Sequence, residues 1–356
     1  MTVHKCELWL GDDPWGRLEG GSVSGALSWD GSDPLPVSVA IRGAHSRRFP
    51  QRSLQVTLTG SPLPDEPPPG HTVRRMHLNA DFIDPSRIRS VLSFALFDAM
   101  HVPAPRSAHA ALWVNGHAVG LYIALESVDA NFCRRRGWPP GPIYYAVNRN
   151  ANFGLVSPFT KRLKEPLEAG YHPVDRADVA PLRSMLTELN LASDRAFPRV
   201  ARRWIDVEAY LGWLMVAIFV GNRDGFVHNY ALCLDPDRRR FRLVPWDYDA
   251  TFGIDINGRP ARLDRVPATG WNKLTYRLLN QPKIRAFYRE RFLQALEAGP
   301  LAPEAVDTQI DKIRADLDDW IDILALDRPA IEAGIEGVRR WSVDRRLWLK
   351  ERLNAL

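Results

Sequence analysis

Residues 221–253 read GNRDGFVHNYALCLDPDRRRFRLVPWDYDATFG. Within them Asp224 precedes Asn229 by five positions, and Asp247 follows Asn229 by eighteen. Two carboxylates and one carboxamide are hard oxygen donors. They suit a cation such as Mg2+, which takes one or two ligands from protein when phosphate groups supply others. The set works only if the chain between them doubles back. YALCLD and FRLVPW are short apolar runs separated by the turn-forming segment Pro236–Arg240, a pattern that predicts a hairpin. That hairpin would return Asp247 to the neighbourhood of Asp224 and Asn229. A plainer reading stands beside this one: Asp224 as a turn or cap residue, and Asp247 as the end of a strand. An acid pair beside Trp246 at a buried strand end would still need a partner, and a metal ion is one.

The order of these groups also matches the chemistry of phosphoryl transfer. Protein kinases place an Asp that orients or deprotonates the acceptor hydroxyl ahead of an Asn that holds a second metal. A later strand ends in an Asp that holds Mg2+ against the nucleotide phosphates. DGFVHN keeps the Asp-to-Asn spacing, and WDYDATFG occupies the later position.

Positioning such a set requires a frame, and the sequence has two textures. Residues 1–150 are strand-rich. VSVAI (37–41), SLQVTL (53–58) and AHAALWVNGHAVGLYIALESVD (108–129) carry strand patterns, the last turning at Asn115-Gly116. SPLPDEPPPG (61–70) reads as a proline-rich surface loop. A helix is predicted over 84–100, with Asp84 as cap and Pro85 in the first turn. Residues 151–356 are mainly helical, with helices predicted at 178–190, 205–221 and near 271–297, 303–325 and 328–354. Trp320, Trp341 and Trp348 are expected as core or interface aromatics. The fold class is α+β, a strand-rich first lobe followed by a helical second lobe, with a cleft between them for ligands.

Composition narrows the function classes. With 45% hydrophobic and 25% charged residues, the 356-residue chain is an ordinary globular protein. Its 47 basic and 42 acidic residues leave a net charge of +5, which favours anionic ligands. No nucleic-acid recognition motif accompanies that charge, so no nucleic-acid partner is expected. Only seven of the basic residues are lysines, and none falls between Lys5 and Lys161. Cys6, Cys133 and Cys233 are far apart without a CxxC, which argues against a disulfide scaffold or a cysteine zinc site. The opening MTVHKCELWLGDDPWG has no signal-like apolar run. LGWLMVAIFV (211–220) is about half the roughly 20 residues that cross a bilayer. A cytoplasmic location without membrane insertion is expected.

The core segment 221–253 resembles that of the CotH family, the spore-coat-type atypical protein kinases. The likeness extends through IRGAHSRRFPQRSLQV, MHLNADFIDPSRIRSVLSFAL and LWVNGHAVGLYIALESVDANF, and downstream through KLTYRLLNQPKIRAFYRERF and VRRWSVDRRLWLKERL, about residues 35–350 in family order. The resemblance implies a bilobal protein-kinase-like fold, ATP with Mg2+ or Mn2+, and phosphoryl transfer to Ser or Thr of a protein substrate. It implies Asp224 as the catalytic acid-base residue, and Asn229 and Asp247 as metal ligands. Asp249 would support the site from behind, and His228 would steady the loop. Glu126 would stand on the first-lobe side of the nucleotide site. Gly43 and Ser46 of RGAHS would let backbone N–H groups approach phosphate.

The sequence departs from the family at one place. Relatives commonly read F-P-K-K-S, where a lysine grips the nucleotide phosphates, and this chain reads Phe49-Pro50-Gln51-Arg52-Ser53. Arg52 would replace the charge, with a planar fork in place of a compact ammonium. Three alternatives stay open: a pseudokinase acting as a nucleotide-independent binding or assembly module, transfer of AMP, or phosphorylation of a small molecule. Glu126, at a strand end, also has a structural alternative, pairing with one of the many arginines.

Overall fold

A computed structural model gives the structure, which describes residues 3–43, 46–60 and 75–356. The loop expected at 61–70, Ala44-His45 of the RGAHS run, and the side chain of Ser46 lie outside the described residues. The chain is mixed α+β. Its first strands are β1 (His4–Trp9), β2 (Val23–Trp29), β3 (Leu35–Ile41), β4 (Leu54–Leu58) and β5 (Arg75–Asn79), with helix α1 (Pro14–Gly20) after β1. Helix α2 (Arg89–Ala99) separates β5 from the hairpin β6 (Ser107–Val114) and β7 (His117–Glu126).

These seven strands close into a barrel in the order β1-β2-β3-β4-β5-β7-β6. Neighbours are antiparallel except β1 and β6, whose parallel pairing closes the ring. The alternation in β3 and β4 sends Val37, Val39, Leu54 and Val56 into the barrel interior. Asn115 and Gly116 take φ of 50° and 80°, the double left-handed turn that the Asn-Gly pair predicts. The other face of β6 and β7 is buried as well: Ala111, Leu121, Ile123 and Leu125 join the helical core. Burial on both faces explains why this hairpin reads as a nearly unbroken apolar run.

A short helix α3 (Ala130–Arg135) leads to β8 (Ile143–Ala146) and β9 (Tyr171–Pro173). Helices α4 (Ala180–Leu191), α5 (Phe197–Trp204) and α6 (Val207–Phe219) follow, then the hairpin β10 (Tyr230–Asp235) and β11 (Arg240–Pro245). The chain ends with α7 (Lys273–Leu279), α8 (Pro282–Ala298), α9 (Pro303–Ile323) and α10 (Arg328–Asn354). A second sheet has the order β11-β10-β8-β9, so it takes one strand from before residue 150 and three from after it. α6 is buried from Tyr210 to Phe219 and starts at the Asp206 cap, which accepts from the Ala209 N–H at 3.2 Å.

Two predicted helices differ in their bounds. α2 begins at Arg89, not at Pro85, because Arg87 takes φ 60° and interrupts helical geometry. Asp84 instead accepts from the backbone N–H of Ser86 and of Arg89, both at 2.9 Å, and pairs with the buried Arg89 guanidinium. The single helix expected near 271–297 is two, α7 and α8, because Pro282 has no N–H to continue the ladder. Cys6, Cys133 and Cys233 are free and buried. Among the described residues no helix is long and apolar enough to cross a membrane.

Candidate functional site

The site is built where α6 gives way to the β10–β11 hairpin. Gly221 breaks the helix with φ 74°, and Asp224 opens a single tight turn, Asp224–Phe226. The Asp224 carbonyl accepts from the N–H of Val227 at 3.1 Å and of His228 at 3.0 Å, which fixes the loop. Asn229 then donates its N–H to Ala146 O and accepts at its own carbonyl from Trp246 N–H, both at 3.1 Å. Tyr230 pairs with Pro245, so Asn229 and Trp246 face each other just outside the ladder. Asp247 comes next. The hairpin has closed the eighteen-residue gap.

Asn229 and Asp247 have φ of 60° and 66°. Left-handed backbone is uncommon for residues with a Cβ, and more so for two on one cavity. It turns their side chains out of the strand alternation. Tyr248 points the other way, into the core. Its hydroxyl accepts from Trp213 Nε1 on α6 at 3.1 Å, and its ring meets Phe97 of α2 edge-on at 4.9 Å. With Tyr248 anchored, Asp247 and Asp249 both face a cavity of about 400 Å3. Asp224, His228 and Asn229 line the same cavity, and from the barrel side so do Arg42, Gly43, Asn79 and Asp81.

The acids lie close enough to disturb one another. Burial pushes the Asp247 carboxyl up; Arg42 and His228 oppose that, and Asp224 adds to it. Asp249 is raised further, by burial and then by Asp247 and Asp81. Asp81 is pushed up to about 7, chiefly by burial, with Asp84 and Asp247 adding and the Ser90 hydroxyl and Arg87 opposing. Asp81 Oδ2 is buried with no hydrogen-bond partner. Carboxylates held this close ask for positive charge. The donors are all hard oxygens, which fits Mg2+ or Mn2+ and not a soft metal. Among the described residues no three His, Cys, Asp or Glu side chains already stand at coordinating distance from one point. A cation there would therefore need oxygens from a bound phosphate group as well.

Residues 39–337 match the family described as CotH kinase protein. The chain belongs to this family. Inner spore coat protein H of Bacillus subtilis (strain 168) is 35% identical over 284 residues, 75% of this chain and 76% of the relative. The inner spore coat protein H-like protein of the same organism is 37% identical over 171 residues, 47% of this chain and 46% of that one. Among solved structures, the Helicobacter pylori proinflammatory kinase CtkA aligns over 94% of this chain and 92% of its own at 9% identity, with a TM-score of 0.36, too distant to carry weight. The CotH match contains every cavity-lining residue, from Arg42 to Arg265. A kinase-type function goes with the family.

Within this CotH chain the structure sorts the expected site residues. Asp224, Asn229, Asp247 and Asp249 come together, with Gly43 opposite at φ 89°. Glu126 does not join them. Its carboxylate is sealed under α3 by Arg135 and by Arg136 Nη1 at 3.2 Å, and accepts from the Arg106 N–H at 2.9 Å. A buried acid needs its charge compensated, and the two arginines do that. Arg52 does not reach the cavity either. Its guanidinium turns to Glu19, at 3.2 Å, and to the Phe49 carbonyl.

The cation on the barrel side is Arg42, which follows β3 directly. It hydrogen-bonds Asn79 Oδ1 and lies in the field of Asp247 and Asp81. Sequence reasoning missed it, although it stands beside Gly43 in the run already singled out. It also missed Asn222. That buried side chain accepts from the Gly225 N–H at 2.8 Å and donates to the Asp247 carbonyl at 3.3 Å, tying loop to strand end.

Proposed function

We propose that this CotH-family chain is an ATP-dependent protein kinase that transfers the γ-phosphoryl group to Ser or Thr of a protein substrate. The barrel and the helical part correspond in this reading to the two lobes of a kinase, with the cavity between them. One observation carries the reading: Asp224, Asn229 and Asp247 converge on one cavity that also holds a guanidinium, Arg42.

The Asp224 side chain is about one-third exposed, accessible to an incoming hydroxyl. Its carboxylate orients that hydroxyl and takes its proton as the oxygen bonds to the γ-phosphorus, while the bond to ADP breaks. His228 Nε2, 3.7 Å from Asp224 Oδ2, restrains the carboxylate. Asn229 and Asp247 would hold Mg2+ or Mn2+, whose charge offsets that of the phosphates. Arg42 and the Gly43 backbone offer positive charge and an N–H on the opposite wall, in the place first expected for Arg52.

The test is transfer of 32P from γ-labelled ATP to protein with Mg2+ or Mn2+, with intact mass to tell phosphate from AMP. Asp224→Asn is expected to reduce transfer about 10²–10⁴-fold, and Asp247→Asn to reduce metal–nucleotide binding as well, with folding kept. No labelling and no nucleotide-induced thermal shift with either metal would sink the proposal.

A further inference from the structure

Two thiols that take no part in the acidic cavity meet between α3 and β10. Alternation along β10 turns Tyr230, Leu232 and Leu234 into the helical core, and Ala231 and Cys233 to the opposite face of the sheet. Cys233 stands there on a central strand, opposite Ile143 of β8 and Arg242 of β11. α3 covers that face: Phe132 and Cys133 pack with Ile143, Ala231, Cys233 and Val244 in a small core of their own. Within it the Cys133 and Cys233 side chains hydrogen-bond each other, although the two residues are a hundred positions apart. Cys6 lies in the separate core of the barrel.

The two thiols are chemically unequal. The hydrogen bond from Cys233 pulls the Cys133 thiol below its ordinary value, with Arg136 and Arg242 assisting and burial and Asp129 opposing. Cys233, the donor, is held well above its ordinary value by the same bond and by burial. A thiolate beside a protonated thiol is the arrangement in which the first attacks an oxidant and the second resolves the product. Both residues are only 3% exposed, so attack needs α3 to lift. α3 is six residues long and buries only Phe132 and Cys133, so it can lift by local opening without global unfolding.

We propose that Cys133 and Cys233 form an oxidation site, where a hydroperoxide converts the pair into an intrachain disulfide that fastens α3 to β10. The Cys133 thiolate attacks the peroxide oxygen, becoming a sulfenic acid and releasing hydroxide. The Cys233 sulfur then attacks the sulfenic sulfur, the S–O bond breaks, and water leaves. Two thiols and one hydrogen peroxide thus give one disulfide and two waters, with two electrons passing from sulfur to oxygen. α3 also holds Glu126 of β7 through Arg135 and Arg136, so the bridge ties β7 to the strand that follows Asn229.

The test needs no kinase activity. Native protein is exposed to hydrogen peroxide, remaining thiols are alkylated after denaturation, and intact mass, a non-reducing peptide map and hydrogen exchange are read. The expected product has lost about 2 Da, carries alkylation on Cys6 alone, and yields a peptide joining Cys133 to Cys233; dithiothreitol restores the starting mass. Its Tm should rise by about 3–5 °C, and amide exchange across α3 should slow about tenfold. Cys133→Ser and Cys233→Ser should each remove the mass loss, the Tm rise and the slowed exchange, and Cys133→Ala or Cys233→Ala gives the same readout where a serine variant does not fold. Addition of about 16, 32 or 48 Da without a cross-linked peptide would overturn the proposal. So would a bridge to Cys6 or to a second chain, or thiols left intact in the folded protein while the urea-unfolded chain oxidises. A bridge that lowers Tm or leaves α3 exchange unchanged would also overturn it, because α3 would not have been fastened.

Discussion

At the scale of single residues, Asn222 and Arg42 set the shape of the site. Asn222 serves both ends of the motif, the Gly225 N–H and the Asp247 carbonyl. Asn222→Ala leaves both without their partner in a buried place, which costs about 1–3 kcal/mol for each group left unsatisfied. The expected outcome is a lower Tm together with a reduced kcat, checked by thermal melts and steady-state kinetics. Arg42 and Arg52 separate cleanly. Arg42 sits on the cavity, whereas Arg52 is spent on Glu19 and a carbonyl. Arg42→Met should lower kcat/KM for ATP about 10²-fold or more, as expected when a preorganised positive charge is lost. Arg52→Met should change it less than about threefold.

At the scale of elements, the loop is clamped from behind by α10. Trp341 packs against Gly221 and Gly253, the two glycines that bracket the motif, and its indole N–H donates to the Phe219 carbonyl at 3.3 Å. A Cβ on either glycine would come within 2.7 or 2.8 Å of the indole, and both have positive φ. The fully buried Arg345, one turn further on, donates to the Ile218 carbonyl at 2.9 Å and the Val266 carbonyl at 2.5 Å, closing the end of α6. Gly221→Ala is therefore expected to destabilise by about 2 kcal/mol or more, and Trp341→Ala by about 3–5 kcal/mol. Because the two share one contact, the double variant should lose less than the sum, which a denaturant double-mutant cycle measures. α2 is tied to the same region, since Arg89 Nε donates to the Thr251 carbonyl at 3.0 Å.

At the scale of the whole molecule, the acidic cavity makes stability depend on pH in an unusual direction. Asp81 is raised from 3.8 to about 7 in the folded chain. Between those values the folded state binds more protons than the unfolded one, so stability falls as pH rises from about 4 to about 7. Asp249 and Asp247 are shifted the same way and add to it. Asp81→Asn removes the penalty, and Asn tolerates the φ of 41° at that position. Its Tm should exceed that of wild type by about 1–2 °C at pH 8, which corresponds to roughly 1 kcal/mol in a chain of this size. The gap should close near pH 4. Melts across that range check it, and a divalent cation with nucleotide should stabilise wild type most at the alkaline end.

The sequence by itself determined whatever a local pattern can carry. The β10–β11 hairpin, the Asn115-Gly116 turn and α6 with its Asp206 cap all follow from period and turn chemistry within a few residues. Asp224, Asn229 and Asp247 were legible for the same reason, since they belong to one loop and one hairpin. The tertiary structure alone decided the barrel side. Arg42, Asn79 and Asp81 reach the cavity from two strands, and their placement depends on a ring closed by β1 and β6, about a hundred residues apart. For Glu126 the sequence offered an arginine partner but not which one, because Arg135 and Arg136 are brought over to it only by packing. The same holds for the glycines at 221 and 253, whose need to be glycine comes from a tryptophan on the last helix. Local periodicity is written into neighbours along the chain, whereas a charge's compensation depends on which surfaces meet when the core closes.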